Sequence, residues 1–241
     1  MWIGVSLCRN KTYSMEEVME RDMYFTGNGR GVDKRWIYKS KLEYELSNDY
    51  IQKLNYNLQD FFELKNNYHG RKDVYYLVQL TQWIIEIPEA YMSLLRTELV
   101  DKFHFSRVDQ WEKATAYMQA LRAILLAHPL KTDRHGDYGF DGDFISVDIG
   151  FPKSTLFMMA GENYMLQKSS KLSMDGMDRR TMIDDCEYCI VGYRKSEGAR
   201  FYQYVGCNIS DLVTVVDLVR NYIREFDLFL SKQKKKDYLG E

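Results

Sequence analysis

Proline is scarce in this chain: Pro88, Pro129 and Pro152 are the only three among 241 residues. A chain with so few residues unable to donate a backbone hydrogen bond has room for long, uninterrupted helices. Cysteine is almost as rare, with Cys8, Cys186, Cys189 and Cys207 unevenly spaced. That excludes a small disulfide-stapled scaffold and predicts reduced thiols in a cytoplasmic protein. No apolar run approaches the ~20 residues that a membrane-spanning helix needs, so no membrane is expected among its partners. The opening MWIGVSLCRNK has too short an apolar stretch before Arg9 to predict a secretory signal. An excess of one charge is missing as well. Lys and Arg number 33 against 35 Asp and Glu, a formal charge of -2. This excludes a nucleic-acid field over the whole surface and leaves room for a local basic groove.

What is present is an ordinary globular composition, 45% hydrophobic and 28% charged. The length is sufficient to bury a core as one large domain, or as one domain with a subdomain. Aromatics reach 15%, led by 19 tyrosines, a side chain suited to half-buried contact surfaces.

Residues 1–45 show no regular pattern beyond a short helical stretch at 15–23 and the string Gly27-Asn28-Gly29-Arg30-Gly31. That string lacks the Lys-Ser/Thr ending of a phosphate-binding loop and reads as a turn. From Ser47 to about Asn67, Ile51, Leu54, Leu58, Phe61 and Lys65 follow the 3-4 spacing of one helix face. A second helical stretch runs from Arg71 to Phe103, with a kink or break predicted at Pro88. A third starts at Asp109, with Glu112 three residues on in a capping-box arrangement. Trp111, Ala114, Met118, Leu121 and Leu125 are its apolar stripe, which ends at His128-Pro129.

Further on, Ile145, Val147 and Ile149 alternate with Ser146 and Asp148, predicting a strand. Residues 155–159 suggest another strand, and 168–185 a polar surface loop. Residues 186–193 and 200–206 predict a hairpin. A last helix, 209–233, carries Leu212, Val215, Val219, Tyr222, Phe226 and Phe229 on one face. The expected fold is mainly α with a small antiparallel β insertion, built on a helical bundle of four to five long helices. The expected division is an irregular segment 1–45, a bundle 46–135, a β-rich insertion 136–207 and a C-terminal helix 208–241 packed on the bundle.

Three constellations carry possible chemistry. Arg122 and His128 stand near the end of the third helix in the string LRAILLAH. Histidine exchanges protons near neutral pH, and arginine neutralises charge developing on a phosphate, so the pair suits metal-independent RNA cleavage by the RNA's own 2′-hydroxyl. Here the chain resembles the HEPN superfamily, all-helical domains marked by Arg, four to six residues, then His. Five residues separate the pair in this chain. The resemblance covers roughly residues 47–130. It implies an endoribonuclease of the toxin or antiviral-defence kind, without a cofactor, acting as a homodimer on RNA and able to meet an antitoxin or other protein partner. In an ideal helix the two side chains point about 120° apart, so joint action requires the helix end to depart from ideal geometry.

The second constellation is the acidic loop after His128. Here His135, Asp141 and Asp143 offer an alternative metal site for a phosphodiesterase, although Asp-Gly is also a common turn dipeptide. Arg134 and His135 are candidate substrate-binding residues. So are Tyr202 and Tyr204 on the predicted hairpin, whose rings suit stacking on single-stranded RNA. The third is Cys186-Glu187-Tyr188-Cys189, half of a zinc site at most, whose cysteines a strand would set on opposite faces. A non-enzymatic binding or assembly protein, using the bundle and the tyrosine-rich hairpin, is the competing class.

Overall fold

Ser40 opens the first long helix. Its backbone is extended, and its hydroxyl accepts from the amide of Leu42 at 3.1 Å, satisfying one of the donors that a helix start leaves unpaired. The same hydroxyl donates to the Glu43 carboxylate. Helix α1 therefore spans Lys41–Lys65 and begins six residues before the predicted Ser47. The fold is taken from a computed structural model that describes residues 35–127, 138, 144–152, 168–178, 185–196, 199–234 and 237.

Helix α2 (Arg71–Met92) runs through Pro88 without the predicted break. Val74, Leu77, Val78, Leu80, Ile84, Ile85 and Ile87 are all buried, and packing on several sides outweighs the one backbone bond that proline removes. The helix stops at Ser93. Leu94 and Leu95 turn back, so that Leu95 and Tyr38 form an isolated β-bridge, and Arg96 donates from its Nε to the carbonyl of Trp36 at 2.7 Å. A four-residue helix α3 (Thr97–Val100) follows.

Helix α4 (Val108–Arg122) is capped by Arg107 rather than by the predicted Asp109. The chain is fixed just ahead of it, because Ser106 donates from its amide and its hydroxyl to Glu225 at 3.0 and 2.6 Å. Asp109 falls in the first turn, where a carboxylate complements the helix dipole. Phe103, Phe105 and Trp111 pack on Tyr222, Phe226 and Phe229 of the last helix, α5 (Ile209–Ser231). The stripes predicted on α4 and α5 are the faces that are buried, with Trp111, Tyr222 and Phe229 partly covered at their edges.

Five strands form one sheet in the order β1-β4-β5-β2-β3. They are β1 (Phe144–Gly150), β2 (Lys168–Ser173), β3 (Gly176–Asp178), β4 (Tyr188–Ser196) and β5 (Ala199–Cys207). The fold is thus mainly helical with a small sheet, as expected, and the sheet is mixed because β2 pairs with β5 in parallel. Strands β2 and β3 replace the surface loop predicted over 168–185. Gly176 supplies the positive φ of 108° at their turn.

The alternation predicted on β1 is interrupted. Its register with β4 shifts between Ser146 and Asp148, so Ser146 pairs with Gly192 and Ile149 with Ile190. Gly192 and Ile190 lie two apart on β4 and share a face, so the bulge sets Ser146 and Ile149 on that same face. Both are buried, whereas Ile145 is only half-buried. One continuous cluster contains the buried faces of α1, α2, α4 and α5 together with Ile149, Leu172, Tyr188, Ile190, Val205 and Cys207 of the sheet side. The strand predicted over 155–159 and the short helix over 15–23 lie outside the described residues. Among the described residues no helix is long and apolar enough to cross a membrane.

Candidate functional site

Arg122 is the last residue of α4 and is exposed, while Leu121 beside it is fully buried. Among the described residues its guanidinium has no carboxylate partner. Immediately after it, Ala123–Ala127 form a single wide π-helical turn in which Ile124 and Leu125 are buried. Departures of this kind inside a helix recur at functional sites. Ideal α-helical phase does not hold across Ala123–Ala127.

His128, Arg134, His135, Asp141 and Asp143 lie outside the described residues. Tyr202 and Tyr204 are on β5, paired with Tyr193 and Val191 of β4. Tyr204 is half-buried. Among the described residues no three or more His, Cys, Asp or Glu side chains are grouped so as to hold a metal ion.

Cys186, Cys189 and Cys207 are free and fully buried. Cys186 precedes β4, and Cys189 and Cys207 occupy neighbouring strands. Burial raises all three thiols, Cys189 to about 12. They stay protonated and behave as small hydrophobes rather than nucleophiles.

Two polar arrangements were not read from the sequence. The first gathers side chains from three elements. Tyr188 pairs with Cys207 across β4 and β5, and its hydroxyl lies by the Cys207 thiol, a weak acceptor, with no oxygen or nitrogen partner. Tyr117 comes from α4 and Asp211 from the first turn of α5. The Tyr117 hydroxyl and the Asp211 Oδ2 atom are both buried and, among the described residues, without hydrogen-bond partners. Both tyrosines are raised first by burial and then by Cys207, and the charge of Asp211 adds to each. Burial also lifts the Asp211 carboxyl above its ordinary range, with Lys171 opposing. Buried polar groups without partners are uncommon in a protein interior. The available signal was Tyr117, a polar-tipped residue one position from Met118 on the α4 stripe.

The second arrangement caps α5. Glu187 Oε2 accepts from the amide of Ile209 at 2.6 Å and from that of Ser210 at 3.4 Å, and Asn208 Oδ1 accepts from the amide of Glu187 at 3.0 Å. Tyr68, just past α1, donates to Glu187 Oε1 at 3.4 Å. A carboxylate from the start of β4 thereby occupies the positive end of α5. No protein-family model matches the chain, and neither a curated protein nor a solved structure matches it.

Proposed function

We propose that this protein is a metal-independent, HEPN-like endoribonuclease that works in the cytoplasm as a toxin or phage-defence effector, with Arg122 and His128 as its catalytic pair. The observation that carries the reading is the state of Arg122. It is an exposed guanidinium with no counter-ion among the described residues, held at the end of a helix whose other side is core. Guanidinium groups bind phosphate through paired, charge-assisted hydrogen bonds, and an unpaired one gives up no protein partner in doing so. The π turn that follows, Ala123–Ala127, departs from ideal helical phase directly beside Arg122. Arg134, His135, Tyr202 and Tyr204 are assigned to holding the RNA. The buried, free thiols fit a reducing compartment.

Purified protein incubated with unstructured and transfer RNAs should cleave in the presence of EDTA and leave 2′,3′-cyclic phosphate ends. Replacing His128 by Ala removes the proton-exchanging group and should slow cleavage by about 100-fold or more. Arg122→Ala should slow it comparably while leaving the melting temperature unchanged, because the side chain is exposed. Cleavage abolished by EDTA would move the chemistry to His135, Asp141 and Asp143. Absence of cleavage on every RNA would leave a binding or assembly protein, a reading favoured by the exposed Tyr56 and Tyr76 on α1 and α2.

A further inference from the structure

Helix α1 has two faces of different character. Leu54, Leu58 and Phe61 are buried, while Leu42, Leu46, Asp49, Lys53, Tyr56 and Asp60 are all exposed. Those six exposed positions are spaced by four, three, four, three and four residues. That is the period with which a helix presents a seam to a second helix. The seam carries an unusual apolar load for a free surface. Leu42 is 61% exposed, Leu46 40% and Tyr56 57%. Helix α2 widens it: Tyr76, 42% exposed, donates to Asp60 at 2.8 Å, and the Lys53 ammonium lies 4.2 Å from the centre of the half-buried Trp83 ring.

The order of residue types along this seam is complementary to itself when reversed. A two-fold axis through Ile51 pairs positions equally distant from it on the two copies. Lys53 then meets Asp49, Tyr56 meets Leu46, and Asp60, with the Tyr76 ring it holds, meets Leu42. Both rotated copies of each pair form at once, so two opposite-charge pairs flank the axis, Tyr56–Leu46 pairs lie outside them, and at the ends Leu42 meets Asp60 with the Tyr76 ring bonded to it. No like charges are brought together among these six positions. A contact of this kind is isologous, the form that closes as a dimer. Helix α1 is about 37 Å long at the helical rise of 1.5 Å per residue, long enough to carry the whole set.

We propose that α1 is a homodimerisation surface on which a second copy of this chain packs antiparallel about Ile51. The surface lies on a different helix from Arg122, so substitutions that break the dimer leave the proposed cleavage residues themselves untouched.

Sedimentation of the full chain between about 1 and about 100 µM, the range of ordinary reversible association, should show a species of twice the 28.7 kDa chain mass. Lys53→Asp sets Asp against Asp49 twice across the axis, and Asp49→Lys sets Lys against Lys53 twice. Each variant alone should weaken the dimer by about tenfold or more, since like charges across an interface are strongly disfavoured. Each should keep its helical circular dichroism, the side chains being exposed. Mixed in equal amounts, the two variants should form a heterodimer, because only the mixed pair restores both opposite-charge contacts. A parent chain that stays monomeric throughout the range would overturn the proposal. So would a dimer indifferent to both substitutions, or variants that fail to associate when mixed.

Discussion

Asp211 sits under opposing influences. As a carboxylate in the first turn of α5 it is favoured by the helix dipole. Burial, with no partner for its Oδ2 atom among the described residues, disfavours its charge and raises its pKa above the ordinary carboxylate range. A raised folded-state pKa means that the folded chain holds this proton more tightly than the unfolded chain does. The associated stability is present below the unfolded pKa and is lost as pH rises through the folded one. Asp211→Asn removes that titration. The stability of the parent relative to this variant should therefore fall as pH rises from about 4 to about 7. Urea titrations of both proteins at the two pH values measure the difference, and a difference that grows with pH would refute the account. The sequence places Asp211 at a helix start but says nothing of what covers it. The groups that feel its charge, Tyr117 of α4 and Tyr188 of β4, are remote in the chain. Arg122, by contrast, was legible as a side chain off the apolar stripe, since stripe and exposure follow from the same helical period.

At the scale of elements, the long helices could be read because their signal is local. Leu54, Leu58 and Phe61, or Leu212, Val215 and Val219, repeat at the helical period whatever surrounds them. Even the true start of α1 is present in the string Ser40-Lys41-Leu42-Glu43, a capping-box pattern upstream of Ser47, where the apolar periodicity becomes clear. Strand β2 carried no such signal. Its sequence KSSKLS becomes a strand through parallel pairing with β5, more than thirty residues away, and among its described side chains Ser170 and Leu172 are the buried ones. The cap of α5 is non-local in the same way. Asn208 occupies the cap position without capping through its side chain, and Glu187 supplies the oxygen instead. Replacing Glu187 by Ala should cost about 1–2 kcal/mol, the usual penalty for losing a helix cap. Glu187→Gln, which keeps an acceptor but loses the charge at the dipole, should recover part of it. Thermal melts of the two variants decide the matter. Equal stability of parent and Ala variant would mean that these contacts contribute nothing to holding α5.

On the scale of the whole molecule, the sequence suggested a boundary near residue 136 between a bundle and a β-rich insertion. The packing makes another arrangement testable. Ile190 and Val205 of the sheet belong to the same buried cluster as Leu77, Met118 and Val215 of the helices. If that shared core acts as one cooperative unit, damage to the sheet must be felt in the helices. The chain supplies its own reporters. Trp36, Trp83 and Trp111, the tryptophans among the described residues, all lie on the helical side and pack against the core. Ile190→Ala deletes fully buried volume on β4, far from any of them in sequence, and should cost about 2–5 kcal/mol. In a single cooperative unit, the denaturant midpoint of tryptophan fluorescence should drop by the full amount and coincide with the midpoint from far-ultraviolet circular dichroism. Were the sheet a separate folding unit, fluorescence would keep the parent midpoint while circular dichroism showed an earlier partial loss. The coincident outcome is expected because the buried residues of the sheet share one cluster with those of α2, α4 and α5. A strand set stripped of that cover would expose Tyr188, Ile190 and Val205 together, at roughly 25 cal/mol per Å² of apolar surface.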